Sequence, residues 1–198
     1  MLIYASHPIL GYQEEPAWVQ SVSDHVSKKQ HVLYRPRKPF SDMMQNKFFV
    51  EAMQKEPRPY VTQFGVPSDV VVPLEQLIDD FERDDLHDIL VFRDLYVLSR
   101  ADLIIIDGNN PTYGGTAMET MLASQIGVPS ILVSDRTVPG PWMRSFTDMT
   151  TSSHEVLKIV DMWIAAQSPV IAVGYQAQKA AEENQPKPKA RRRTKSGK

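Results

Sequence analysis

The 198-residue chain has no cysteine, which excludes a disulfide framework and any thiolate metal site and leaves the redox compartment unread. Its five histidines show neither His-x-x-x-His nor His-x-x-Glu spacing, so no metal is expected. Gly-x-Gly-x-x-Gly does not follow the first hydrophobic run, and Gly-Lys-Ser/Thr is absent. Rossmann dinucleotide binding and ATP hydrolysis therefore lose support, and no cofactor is expected. No apolar run approaches the ~18 residues of a membrane span, so no membrane partner is expected. The start carries no basic stretch or cleavage pattern, so a cytoplasmic protein is expected.

What is present is enough apolar residue, 42% of the chain, to bury one full core. The net charge of −2 hides an asymmetry: residues 176–198 carry eight Lys/Arg against two Glu, leaving −8 for residues 1–175. The tail is rich in Lys, Pro, Ala, Glu and Arg with no apolar period. The expected organisation is therefore one domain over 1–175 and a disordered basic tail over 176–198. A solubilising end outweighs nucleic-acid contact as the reading of that tail.

The stretch from Ala101 to Ser134 organises the rest. Leu103 to Ile106 is an unbroken aliphatic run, as a strand covered on both faces requires. Asp107, Gly108, Asn109, Asn110 and Pro111 punctuate it, and Gly114-Gly115 keep the loop free of side chains. Thr116 is the expected N-cap, with Glu119 three residues on; the helix runs to about Gln125 and ends at Gly127. Ser130 to Val133 is the next buried strand. This is one βαβ unit, with its loop where open α/β sheets bind ligands.

Upstream, Leu2 to Ser6 reads as the first strand and Ala17 to Lys29 as an amphipathic helix, with Trp18, Val22 and Val26 at helical spacing. His31 to Tyr34 is a short second strand. Six prolines interrupt residues 35–73 around a short helix from Asp42 to Lys55, the irregularity expected of a lid, a binding loop or an oligomer contact. Helices are expected over Leu74–Phe81 and Leu86–Ser99. Downstream, Val138 to Trp142 is a Pro/Gly turn, Ser145 to Ser153 a polar run, and Ser153-x-Glu155 opens a last helix.

Two uses are open for Glu119: a capping box with Thr116, or a carboxylate aimed into the cleft behind the double glycine. Asp94 is a solvated helical Asp or a second cleft carboxylate. Asp102 fits a turn contact before the strand, and Asp107 a turn or a ligand contact. Tyr4 is a core residue unless its hydroxyl reaches the cleft, and His7 follows the same strand.

IYASHP near the start, RDLYVLSRADLIIID and PTYGGTAMETMLASQIGVPSILVS together resemble the nucleoside 2-deoxyribosyltransferase superfamily, which includes the 2′-deoxynucleoside 5′-monophosphate N-glycosidases. The resemblance lies in an IYLAGP-like strand, an Asp-led helix ending in Ala-Asp and aliphatics, and Gly-Thr-x-x-Glu, here Gly115 to Glu119. It covers most of residues 1–135. It implies a flavodoxin-like (Rossmann-like) α/β three-layer sandwich around a mostly parallel sheet. It also implies an enzyme that cleaves the N-glycosidic bond of 2′-deoxynucleosides or their monophosphates.

By the same resemblance Glu119 matches the nucleophile, Asp94 the carboxylate that assists the leaving base, and Tyr4 the tyrosine that holds the nucleophile. Ser6, His7, Asp107, Thr112, Tyr113, Gly114, Gly115 and Thr116 are the expected substrate contacts. A homo-oligomer with shared sites is implied, with Pro141 to Met149 as the candidate contribution. The chain departs from the pattern at Ser6-His7-Pro8, where Ala-Gly-Pro is common, and at Tyr113, where some members carry a base-orienting Asp. Pro111-Thr112-Tyr113-Gly114 is close to the phosphate-contacting Pro-Ser-x-Gly of the monophosphate branch, and Arg93, Arg136 or Arg144 are candidate partners there. Transfer to a second base, hydrolysis of a monophosphate, and a non-catalytic nucleotide-binding module all remain open.

Overall fold

The computed structural model describes residues 1–8, 14–58, 93–109, 114–136 and 141–167, with the Trp142 side chain left aside. Residues 1–157 form one compact unit, which holds every described strand; 158–198 form a second, described over 158–167. The expected boundary at 175/176, the basic tail and the helix expected over 74–81 lie outside the described residues.

Among the described residues five strands, β1 (Leu2–Ser6), β2 (Val32–Tyr34), β3 (Leu103–Asp107), β4 (Ser130–Val133) and β5 (Met149–Thr151), form one sheet in the order β2-β1-β3-β4-β5. Every pairing is parallel. This is the flavodoxin-like order, and the direction of winding reverses between β1 and β3, which opens a crevice at their carboxyl ends. The central strands are buried along their whole length, which accounts for their aliphatic runs.

Alternation along the strands divides the core. Leu2 and Tyr4 of β1, Val32 and Tyr34 of β2, and Ile104 and Ile106 of β3 share one cluster. Phe40, Phe49, Val97, Leu98, Leu122 and Ala123 cover that face. They come from α2 (Phe40–Met44), α3 (Lys47–Met53), the helical stretch α4 over 93–98, and α5 (Gly114–Gln125). Ahead of β2, α1 (Ala17–Ser27) buries Trp18, Val19, Val22 and Val26 and packs on that strand. The chain continues through α6 (Pro141–Ser145) to α7 (Val156–Ala166).

Three expectations are corrected. The single helix over 42–55 is two: the chain breaks at Gln45-Asn46, and the Asn46 side chain accepts from the Phe48 and Phe49 N–H groups to start α3 afresh. The polar run 145–153 contains β5, an edge strand exposed at Met149 and Thr150, whose residues carry no apolar alternation to betray it. α5 begins at Gly114, so Thr116 lies inside its first turn, buried, and is not the N-cap. Gly108, just past β3, has a steric reason: a Cβ there would sit 2.8 Å from Leu132 Cδ1 and 3.1 Å from the Val133 carbonyl oxygen.

The start of β1 is fastened to that of β3. Asp102 Oδ2 accepts from the Leu2 N–H at 2.7 Å and from Lys55 Nζ at 2.7 Å, while the Asp102 N–H donates to the Leu2 carbonyl at 2.7 Å. The turn contact expected of Asp102 is thus a tie between strands and to the residue two past α3.

Candidate active site

β1 places alternate side chains on one face, so Tyr4 and Ser6 point together toward α5. Tyr4 Oη donates to Glu119 Oε1 at 2.8 Å, and Ser6 Oγ donates to Glu119 Oε2 at 2.5 Å. Both oxygens of the carboxylate are engaged by side chains from β1. Glu119 as a whole residue is half-buried.

The second carboxylate is held from β2 and α4. Asp94, near the start of the described helical stretch, is 6% exposed, which overturns the solvated reading. Its Oδ1 accepts from Tyr34 Oη at 2.7 Å and from Arg93 Nε and Nη2 at 3.1 and 3.0 Å. Arg93 is itself buried, and its Nη2 also donates to the Pro36 carbonyl at 3.0 Å. A guanidinium enclosed in this way neutralises Asp94, which differs from the phosphate contact considered for it.

Burial raises both carboxyls. Glu119 is pushed up to about 8, first by burial and next by the charge of Asp94, against the two hydroxyls that favour its ionised form. Asp94 is raised by burial and held back by Arg93 and Tyr34. Asp94 is hydrogen-bonded to a cation and Glu119 to two neutral hydroxyls. At neutral pH Glu119 therefore keeps its proton, while Arg93 and Tyr34 favour the ionised form of Asp94. Burial beside these carboxylates also drives both tyrosine hydroxyls well above their ordinary value, so they remain donors.

His7 is buried one residue beyond Ser6. Its Nδ1 is 3.3 Å from the Pro8 carbonyl and its Nε2 3.3 Å from Glu15 Oε1. Arg35, following β2, grips Glu15 through Nε at 3.1 Å and through Nη2, and reaches Gln20 Oε1 through Nη1 at 2.8 Å. Glu15 is lowered to about 2: burial opposes, and His7 and Arg35 prevail. This polar string ties the chain after β1 to the end of β2.

Asp107 is buried at the end of β3, where Oδ1 accepts from the Asn109 N–H at 3.2 Å, a turn contact. Gly114 and Gly115 are exposed, and a Cβ at either would meet no described atom within 4 Å. The Thr116 carbonyl accepts from Thr120 Oγ1 at 2.7 Å within the helix. Thr112 and Tyr113 lie outside the described residues. Asp148, in the stretch proposed for a neighbour's site, is engaged within its own chain: its Oδ2 accepts from the Ser130 N–H at 2.8 Å and Ser130 Oγ at 2.9 Å. Among the described residues, no group of three His, Asp or Glu converges to hold a metal, and no helix is long and apolar enough to cross a membrane.

Sequence reasoning missed Tyr34, Glu15 and Arg35. Tyr34 carried a readable signal, because it ends a predicted strand beside the one that Tyr4 occupies. Glu15 and Arg35 sit in loops, where charge is unremarkable.

The chain is thus an α/β protein of flavodoxin-like topology with two unlike carboxylates, one held from β1 and the other from β2 and Arg93. No protein-family model and no curated protein matches the chain. Among solved structures it is similar to a 2-deoxyribosyltransferase from the psychrotolerant bacterium Bacillus psychrosaccharolyticus, a biocatalyst for the synthesis of antiviral and antitumoral nucleosides. The two are 17% identical with a TM-score of 0.49, over 79% of this chain and 90% of that one.

Proposed function

We propose that the protein cleaves the N-glycosidic bond of 2′-deoxynucleosides through a covalent glycosyl-Glu119 intermediate and passes the sugar to another base. The observation that carries this reading is the grip of Tyr4 and Ser6 on the two oxygens of Glu119, with a second, cation-paired carboxylate beside it. Substitution at an anomeric carbon through an oxocarbenium-like transition state needs a carboxylate to meet the carbon and a proton for the departing nitrogen. In the reacting form the proton held on Glu119 passes to Asp94, so that Glu119 meets the carbon as a carboxylate and Asp94 carries the proton for the base.

In this mechanism an oxygen of Glu119 bonds to the anomeric carbon as the carbon–nitrogen bond breaks. The bonding pair goes to the base nitrogen, which takes the proton of the carboxylate pair by way of Asp94. Tyr4 and Ser6 keep the attacking carboxylate aligned. An incoming base then gives its N–H proton to the pair and displaces Glu119 from the sugar. Water in its place would make the enzyme a hydrolase. The working form is a homo-oligomer with shared sites, the substrate a small nucleoside or nucleotide.

The test is a chromatographic product assay on deoxynucleosides and their 5′-monophosphates, each with and without a second free base, with Glu119→Ala run alongside. A new nucleoside that appears only with the second base supports transfer. Free base and deoxyribose 5-phosphate, indifferent to added base, would replace transfer with monophosphate hydrolysis. No product from any substrate would leave a nucleotide-binding module, for which Glu119→Ala changes affinity little.

A further inference from the structure

Tyr34 is fully buried, and its ring belongs to an aromatic row. It lies 5.2 Å from the ring of Tyr4 and 5.9 Å from that of Phe49, which meets Phe40 edge-on at 5.7 Å. A phenylalanine would fill that row equally well. What tyrosine adds is a hydroxyl, and it is spent on Asp94 Oδ1 at 2.7 Å. The register makes the arrangement a pair: Tyr4 and Tyr34 are directly opposite on β1 and β2, on the same face, and each donates to one carboxylate.

The direction of the contacts adds a second point. Tyr34 Oη, Arg93 Nε and Arg93 Nη2 all converge on Oδ1 of Asp94. Three donors on one oxygen fix the plane of the carboxyl and turn Oδ2 away from them. Arg93 supplies the charge, and Tyr34, a rigid ring wedged between packed neighbours, adds a donor whose place is set by β2.

We propose that Tyr34 is a positioning residue of the reaction, fixing Asp94 through Oδ1 as Tyr4 fixes Glu119, so that Oδ2 is the oxygen offered to the departing base. This rests on the deoxyribosyl-transfer reading for its catalytic part. Among the described residues, the groups that bear on Asp94 are Tyr34 from β2, Arg93 from its own helix, Glu119 from α5, Tyr4 from β1 and His7 after it. Removing one hydroxyl from that set loosens the plane and withdraws a donor from the ionised form.

The experiment is Tyr34→Phe, which keeps every ring contact and so keeps the fold. Two readouts are taken on the full chain: the pH titration of the Asp94 side-chain carboxyl carbon by NMR, assigned with Asp94→Asn, and kcat and KM with a deoxynucleoside and acceptor base. The expected result is an Asp94 titration moved to higher pH and a roughly tenfold fall in kcat, the size of one hydrogen bond to a charged group, with KM little changed. An unmoved titration overturns the proposal. So does a moved titration with unchanged kcat, since Tyr34 would then serve only to satisfy a buried carboxylate. If the titration moves but the unsubstituted protein turns over no nucleoside or nucleotide, the deoxyribosyl reading fails and takes the catalytic role with it. The control of Asp94 by Tyr34 would stand apart from that failure.

Discussion

Ser6 Oγ and Glu119 Oε2 stand 2.5 Å apart, joining the last residue of the first strand to the helix that follows the third. The contact favours the ionised carboxylate, against the burial that raises it. Ser6→Ala removes a donor and no packing of consequence. We expect the ionisation of Glu119 to move to still higher pH and kcat/KM to fall about tenfold. A pH–rate profile of the variant beside the parent checks both.

The same carboxyl sets a basic limit on activity. With Glu119 near 8, its proton persists through neutrality and is lost as pH rises through about 8. kcat/KM should therefore be level near neutrality and fall above about 8. A rise through that value would mean that ionised Glu119 alone limits the rate and that the shared proton is not used.

Glu119→Gln separates catalysis from stability. Turnover should drop by roughly 10³-fold or more, because no carboxylate is left to meet the sugar. Stability should move the other way. Folding holds a proton on Glu119 up to about 8 that the unfolded chain releases near 4.5, so native stability declines between those values and reaches its floor above 8. The variant lacks that decline and should exceed the parent by on the order of 1–3 kcal/mol at pH 9, with a smaller margin at pH 5. Urea unfolding at the two pH values decides it.

Glu15 has the opposite sign. Its folded value of about 2 lies below the ordinary 4.5, so its contribution is present above 4.5 and lost as pH falls through 2. Glu15→Gln should be less stable than the parent at neutral pH and should lose less on acidification across that window. Thermal unfolding at pH 7 and pH 2.5 measures the difference.

Asp102 offers a control outside the site. Asp102→Ala leaves the Leu2 N–H without its side-chain acceptor and should cost about 1–2 kcal/mol, nearly all from that bond, since the ion pair with half-exposed Lys55 contributes little. kcat should not change. Denaturant titration and a single saturating rate measurement suffice.

The sequence was most legible where one physical demand dominated. Leu2–Ser6 and Ser130–Val133 appear at their expected bounds, and Leu103–Ile106 is extended only by Asp107, because strands buried on both faces must be written in aliphatics. Legibility failed where demands competed. Thr116 and Glu119 have the spacing of a capping box, yet the glycines ahead of them carry the helix start back to Gly114 and leave Glu119 to β1, a choice made by a strand 113 residues away. Asp94 reads as an exposed helical acid until its partners are known: Arg93 is its neighbour in sequence, but Tyr34 lies 60 residues off. Resemblance to a family supplied the pairing of Glu119, Asp94 and Tyr4. The residues that hold Asp94 and His7 in place come from parts of the chain that only the fold brings together.

The parallel register of β1 with β2 and β3 has one more consequence. Tyr4 and Ser6 belong to β1, Tyr34 to β2, and Asp94 and Glu119 to the helices that precede and follow β3 in the chain. A slip of β1 by a single residue would turn Tyr4 and Ser6 to the opposite face of the sheet and present Ile3 and Ala5 to Glu119. No partly paired sheet can then bring the two carboxylates and their hydroxyls together. Recovery of catalysis after denaturation becomes a direct clock for strand alignment, and a collapsed chain with misaligned strands would be spectroscopically sheet-like yet inert.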